Sequence, residues 1–578
     1  MQISIEGHTI EAHAGDRLVD LIRQLGLDTD SLKTRPLAAD IAGEVFTLNY
    51  APLRGVSDDN APSTERLRRA IQKGAGKVSL IRYDEVRGKA VYERTLLFVF
   101  FLAMRELFPK AKARVNHAVG AGLDLEIVSD EPFGEEDVER LREKCREIVN
   151  ADYPLERKRL DIHSAIDLFE KDGQTDKVRL LIWRKFTYFD VYTHADYTDY
   201  FYGEMCPSTG YAKVFDLQYR DGGLFLLRPS VRDIDVATRY VYAPHLAATF
   251  EQSERWGQLM HCTTVADLNA MVEDGSVREL IRVNEALHER RFAEIATMIF
   301  QRGAKAVLIA GPSSSGKTTS ANRLATQLRV LGKSPILLSL DDYYIDRKYV
   351  KPDENGQIDY EHLNMIDVPQ FNRDLEALLE GKTVEIPRFD FTTGSRLYNG
   401  HFVTLKNDAI LVIEGLHALN PALLTPAIDK KRVFKLYVSA LTTINLDDHN
   451  RIPTTDVRLL RRMVRDYLTR GSSIERTLGM WESVQRGERR WIFPYQESAD
   501  AIMNTALVYE LCVLKKHIYP LLSAVQPGEP CYDEVLNIIK FLNYICDAAV
   551  EDEIPPTSIL REFVGGNTFY RKESITDE

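Results

Sequence analysis

Residues 311–318 read Gly-Pro-Ser-Ser-Ser-Gly-Lys-Thr, a match to G-x-x-x-x-G-K-[ST]. Few stretches of eight residues restrict a fold as tightly. The loop works only between a buried strand and a helix. Its backbone N–H groups converge on phosphate oxygens, and the helix N-terminus adds the positive end of a dipole. The flanks meet that demand. Residues 305–310 (KAVLIA) form a short apolar strand pattern, and the following TSANRLATQLRVLG is helix-forming. With Gly near 7% of residues, a chance match in a chain this long is on the order of a few per cent.

The loop sets roles for its residues. Gly311 and Gly316 let the backbone curl. Lys317 reaches the β- and γ-phosphates, and the Thr318 hydroxyl ligates Mg²⁺. Pro312, Ser313, Ser314, Ser315 and Thr319 complete the expected ATP-binding set. A second apolar strand, 335–340, ends at Asp341-Asp342-Tyr343-Tyr344. Ligands of an open α/β sheet sit at the carboxyl ends of its strands. Asp341 is therefore expected to orient an acceptor hydroxyl and take its proton, with turn capping as the competing reading. A third strand, 409–413, ends in Glu414, placed to hold magnesium through a water. Residues 456–471 (DVRLLRRMVRDYLTRG) are helical and carry Arg458, Arg461, Arg462, Arg465 and Arg470. In a phosphoryl-transfer site such a helix is the expected lid, with Arg462, Arg465 and Arg470 neutralising charge on the transferring group.

Composition bounds the rest. The 578 residues suggest about three or four domains. A net charge of −12 argues against wrapping nucleic acid with the whole surface, though a local basic patch stays open. The six cysteines include no C-x-x-C pair, which argues against a disulfide scaffold or thiolate zinc site and fits a reducing compartment. No basic segment followed by an apolar run opens the chain, and the most apolar run, 95–103, is far short of the ~20 residues of a membrane span. The cytoplasm is the expected place, with no membrane partner.

The front of the chain pairs a hairpin pattern, 2–5 with 9–12, with a helix at 18–25 that Asp16 is positioned to cap, followed by more strand over 38–48. This stretch, 1–57, resembles the β-grasp TGS module at the front of threonyl-tRNA synthetases. A polar linker, 57–64, follows. Residues 65–240 then resemble the second additional domain of those synthetases, carried by YERTLLFVFFLAMRELFPKA, GAGLDLEIV and YFYGEMCPSTGYAKVFDLQYRDGGLFLL. There the resemblance implies an HxxxH pair and later Cys and His residues near a metal. Anchored on Leu107-Phe108-Pro109, those positions fall at Arg94 and Phe98, and near Phe201 and Met205. The fold resemblance survives and the editing chemistry does not. Residues 280–302 read as a charged amphipathic helix within a connector, 241–304.

The four blocks after the connector, in their order and spacing, resemble the uridine kinase and phosphoribulokinase family over about 306–510. The resemblance puts the catalytic aspartate at Asp341 and, with the DSxY block, Tyr344 near the acceptor. Its sugar-binding block appears as Asp359-Tyr360-Glu361-His362-Leu363, with Glu361 in place of an aspartate that holds ribose hydroxyls. Its IPxYDFxxHSR block appears at 386–396 with Phe389, Asp390 and Arg396, and its arginine lid at 461–472. Phe389, Gly394 and Ser472 replace three polar groups that read a pyrimidine. Phosphate chemistry is implied intact, and pyrimidine selectivity is not.

The expected fold is multi-domain α/β and α+β: a β-grasp module, an α+β synthetase-like domain, and a P-loop parallel-sheet kinase domain (305–525) with a helical lid, followed by a C-terminal extension (526–578). The expected activity is transfer of the γ-phosphoryl of ATP, with Mg²⁺, to a hydroxyl of a nucleoside or small polyol. The alternative is a regulatory or RNA-associated P-loop ATPase that uses the N-terminal half for RNA contact. An oligomer stays open.

Overall fold

The computed structural model describes residues 2–13, 15–41, 44–52, 77–120, 122–230, 233–350, 361–526, 529 and 531–569. The expected linker 57–64, and Asp359 and Tyr360, lie outside them. The chain divides into two compact units. One is Met1–Tyr242 with Asn445–Arg451, and the other is Ala243–Ile444 with Ile452–Glu578.

The first unit opens with strands β1 (Gln2–Ile5) and β2 (His8–Glu11), helix α1 (Leu18–Gln24), and strands β3 (Ala38–Ile41), β4 (Glu44–Thr47) and β5 (Lys77–Ile81). They form one sheet in the order β2-β1-β5-β3-β4, with β1 and β5 parallel at its centre. The sheet's last strand thus lies beyond the boundary expected at 57. Ile3, Ile5, Leu18, Leu21, Ile22, Ile41 and Val78 close its core. Asp16 does not cap α1. The cap position is Arg17, and the Asp16 carboxylate accepts from the His13 N–H at 2.8 Å.

The same unit holds helix α2 (Val86–Leu107), the strands β6 (Lys112–Val119) and β7 (Gly122–Val128), helix α3 (Glu135–Ala151), and strands β8 (Glu156–Asp161), β9 (Tyr188–His194), β10 (Tyr197–Asp199), β11 (Asp216–Arg220) and β12 (Gly223–Leu227). They make a four-stranded sheet, β11-β12-β7-β6, and a three-stranded sheet, β10-β9-β8. The run 95–103 is the buried heart of α2, not a span. Among the described residues no helix is long and apolar enough to cross a membrane.

Asn445–Arg451, expected inside the 305–525 domain, belongs to the first unit. Its polar groups explain why. His449 Nδ1 is 2.7 Å from the buried Asp199 carboxylate, whose other oxygen is 3.1 Å from Lys177 Nζ. The His449 ring stacks on Phe101 with centroids 3.5 Å apart. Burial raises the cost of each lone charge, so these groups are held together as a set.

The second unit gathers helix α4 (Val277–Arg302), the expected charged helix extended at its start, and a sheet of five parallel strands. These are β13 (Ala306–Ala310), β14 (Ser334–Ser339), β15 (Ala409–Glu414), β16 (Val433–Ser439) and β17 (Ala501–Asn504), in the order β14-β15-β13-β16-β17. β13 is buried at every position and lies mid-sheet, as a strand covered on both faces must be. Helix α5 (Lys317–Val330) follows β13. The basic helix is α6 (Thr454–Arg470), and α7 (Ile474–Trp491) comes after it. The described part of 526–578 lies in this unit too.

Candidate active site

The phosphate loop joins the end of β13 to α5, at the carboxyl edge of the sheet. Glycine is required at both ends. A Cβ on Gly311 would overlap the Val438 carbonyl, and Gly316 has φ +83° with Ile559 Cγ2 only 2.7 Å from where its Cβ would stand. The buried Ser314 and Ser315 hydroxyls have no hydrogen-bond partner among the described residues. Unpaired buried donors carry a desolvation cost, and an anion in the loop would remove it. Lys317 Nζ is 3.3 Å from the Pro312 carbonyl, folded back over the loop.

Buried groups from elsewhere in the unit hold the loop. Arg458 Nε donates to the Ser313 carbonyl at 2.8 Å, and its guanidinium is paired with Glu488, whose carboxylate accepts from the Ser313 N–H at 2.9 Å. Arg461 Nη2 donates to the Thr505 carbonyl at 2.7 Å, while the Thr505 hydroxyl donates to the Ser315 carbonyl at 2.6 Å. Arg458 and Arg461 share the apolar face of α6 with Val457, Leu460 and Val464. The arginines expected to neutralise phosphate divide differently. Arg462 Nη1 donates to the Ser313 hydroxyl at 2.9 Å, and Arg462, Arg465 and Arg470 converge on Asp466 at 3.3, 2.8 and 3.5 Å. One carboxylate thus gathers three guanidiniums beside the loop.

Asp341 follows β14, and its backbone N–H is donated to the Ser339 hydroxyl at 3.2 Å. Burial pushes its carboxyl above the usual range, Lys317 pulls it back, and Asp342 adds to the rise. Glu414, the last residue of β15, is pushed up to about 7 by burial and by Asp341, while the Ser339 hydroxyl donates to it at 3.2 Å. Asp341 raises Glu414, and carboxylate and hydroxyl oxygens at the carboxyl ends of the strands and the start of α5 are the donor chemistry that Mg²⁺ takes. Thr318 and Glu414 would hold the ion, which would supply charge neutralisation at the phosphates.

The acceptor residues are partly brought together. Burial pushes Glu361 up to about 7, with Glu488 adding to the rise and Lys317 and Arg462 opposing it. It packs on Gly487, where a Cβ would come within 2.6 Å of the Glu361 side chain. Tyr344, Phe389 and Phe391 form an aromatic cluster with centroids 5.0–6.0 Å apart. His362 turns to Trp491, centroids 4.5 Å apart, and its Nδ1 accepts from the Asn364 N–H. Asp390 closes a turn, accepting from the Thr392 N–H and the Thr393 hydroxyl at 2.8 Å each. Arg396 pairs with Asp367 at 3.0 Å. Gly394 has φ +67° and is packed against the Arg347 side chain, so an imidazole there would displace that chain.

In the first unit, Arg94 donates to the Glu204 carbonyl at 2.8 Å and Phe98 packs edge-on to Phe201 and Tyr197. Phe201 and Met205 share the same apolar core as Phe98. Four positions far apart in sequence meet, and they meet as an aromatic core with a guanidinium.

Sequence reasoning missed Glu488, Thr505 and Asp466, and also Glu562, whose carboxylate accepts from the Thr319 hydroxyl at 2.6 Å. Asp466 had a local signal, lying four residues after Arg462 and before Arg470 on one helix. The others act across the fold and leave no local trace.

The profile of the Phosphoribulokinase / Uridine kinase family matches residues 306–510. The uridine kinase of Staphylococcus aureus strain JH9 is 32% identical over 196 residues, covering 34% of this chain and 84% of that protein. The uridine kinase of strain Newman aligns with the same figures. Among solved structures, a possible uridine kinase from Bacillus stearothermophilus is similar at 20% identity over 37% of this chain and 98% of that one, with a TM-score of 0.26.

Proposed function

The chain belongs to the phosphoribulokinase and uridine kinase family through its residues 306–510, and from that premise we propose that it transfers the γ-phosphoryl of ATP, with Mg²⁺, to a hydroxyl of a nucleoside or a related small polyol. The observation that carries this reading is the placement of Asp341. Its carboxyl stands at the end of β14, in the field of Lys317 and Arg470. A carboxylate there orients the acceptor hydroxyl and takes its proton. Lys317 stabilises charge on the β- and γ-phosphates, and Arg462, Arg465 and Arg470 stabilise charge spreading over the group in flight. Glu361 grips vicinal hydroxyls, because a carboxylate accepts from both at once. The test is a screen of nucleosides and sugars with γ-labelled ATP and purified protein. Label in an acceptor supports the reading. Label only in inorganic phosphate, with every acceptor tried, contradicts it.

A second reading, a P-loop ATPase governed by TGS-like and synthetase-like modules in the N-terminal half, draws on Gly394. Arg347 packs where a base-reading side chain would project. Acceptor-independent ATP hydrolysis stimulated by RNA would favour it.

A further inference from the structure

The C-terminal segment had no role in the expectations above, yet it lies against the phosphate loop. Ile559, Leu560 and Phe563 are fully buried, and the Ser558 hydroxyl bonds Glu285 of α4. Phe563 lies beneath the Arg461 guanidinium, 5.0 Å from carbon to ring centroid. Ile559 touches Gly316. So anchored, the segment presents a carboxylate to the start of α5. Glu562 Oε2 accepts from the Thr319 hydroxyl at 2.6 Å and from the Thr319 N–H at 3.3 Å. Asn567 Nδ2 donates to the same hydroxyl at 3.2 Å.

Thr319 is among the first residues of α5, where N–H groups lack acceptors within the helix and favour an anion. In a P-loop these are the donors that cradle the nucleotide's phosphates. One hydroxyl proton and one N–H cannot serve a carboxylate and a phosphate at once, and the two anions repel. Resting on the proposed reading of 311–319 as the ATP site, we infer that Glu562 is an internal competitor of the nucleotide. Its carboxylate holds the Thr319 position in the free protein and leaves it when a phosphate chain binds. The Ser314 and Ser315 hydroxyls are not covered by this contact, so the rest of the loop stays ready. The apparent ATP affinity is then the intrinsic affinity reduced by the fraction of molecules in which Glu562 has withdrawn. Anything that draws the C-terminal segment away raises that affinity.

The experiment measures Kd for ATP, AMP and adenosine by calorimetry on the full chain and on Glu562→Gln, which keeps the side chain's shape and removes its charge. ATP and AMP should bind roughly tenfold more tightly to the variant, the scale of one charge-assisted hydrogen bond, while adenosine is unchanged. ATP binding that is equal or weaker in the variant overturns the inference and leaves the ATP site standing. Equal tightening of adenosine also overturns it, since only phosphate should feel the charge. No ATP binding by either protein overturns both readings. Should Glu562→Gln not fold, the unaltered protein decides: ATP should raise amide hydrogen exchange over 561–567, and unchanged or lower exchange contradicts the inference.

Discussion

On the nucleotide side of the site, the loop is fixed from outside itself. Arg458, Glu488 and Thr505 hold its carbonyls and one N–H, while the Ser314 and Ser315 hydroxyls have no partner among the described residues. On the acceptor side the polar residues hold one another: Asp390 its own turn, Arg396 Asp367, His362 the Asn364 N–H. A loop braced in this way keeps the Ser314 and Ser315 hydroxyls for a ligand, while Glu562 holds the Thr319 donors. A site whose polar groups are spent on local turns and pairs needs rearrangement, or a ligand that asks less of it. On the proposed reading, the phosphate side is the preorganised one, and acceptor choice falls to Glu361 and the aromatic cluster of Tyr344, Phe389 and Phe391.

The largest effect should come from Lys317→Ala. Phosphoryl transfer should fall on the order of a thousandfold, the scale of losing a donor to developing charge, and Asp341 loses the stronger of the two cations, Lys317 and Arg470, that draw its carboxyl down. Turnover within a fewfold of the parent would mean the nucleotide side is not organised as described. Next is Arg458→Ala, which leaves Glu488 buried without its guanidinium. Breaking such a pair costs about 3–5 kcal/mol, and scanning calorimetry should show a clearly lowered transition; an unmoved one would show that the loop is not braced through this pair. Asp341→Asn should lower turnover by roughly a hundredfold or more while the Kd for ATP stays within a few-fold. Collapse of ATP binding with turnover retained would put Asp341 on the nucleotide side instead.

The smallest effect is a pH dependence from Glu361. Its folded carboxyl is held up to about 7 against an ordinary value of 4.5. Between those values the folded state keeps a proton that the unfolded chain has released, so stability contributed by this group is present below the unfolded pKa and is lost as pH rises through about 7. Glu361→Gln removes the loss. Its Tm relative to the parent should climb between pH 4.5 and 7, and a constant gap would show that Glu361 is not buried as described.

Much of this arrangement was legible in the chain. The phosphate loop, the strands ending at Asp341 and Glu414, and the basic helix rest on local patterns, and each element fell within a few residues of where its period placed it. The division among the arginines was half legible. Arg458 and Arg461 lie three apart on the apolar face with Val457, Leu460 and Val464, a spacing that signals burial and that the reading of the helix as a lid did not use. Their carboxylate partners, Glu488 for Arg458 and Glu510 for Arg461, and Glu562 on Thr319, depend on tertiary pairing that no local pattern encodes. The same holds for β5, whose parallel register with β1 joins distant segments, and for Arg347 filling the space at Gly394.

An acceptor side that reads a sugar better than a base is tested most directly by kcat/KM compared across uridine, cytidine, adenosine and 2′-deoxyuridine. Glu361 should make loss of a ribose hydroxyl cost about ten- to a hundredfold, the worth of one charge-assisted hydrogen bond. With Phe389, Gly394 and Ser472 in place of base-reading groups, exchanging the base should cost less than that. A preference for uridine and cytidine over adenosine above roughly a thousandfold, beyond what an aromatic wall without hydrogen bonds can supply, would contradict the account.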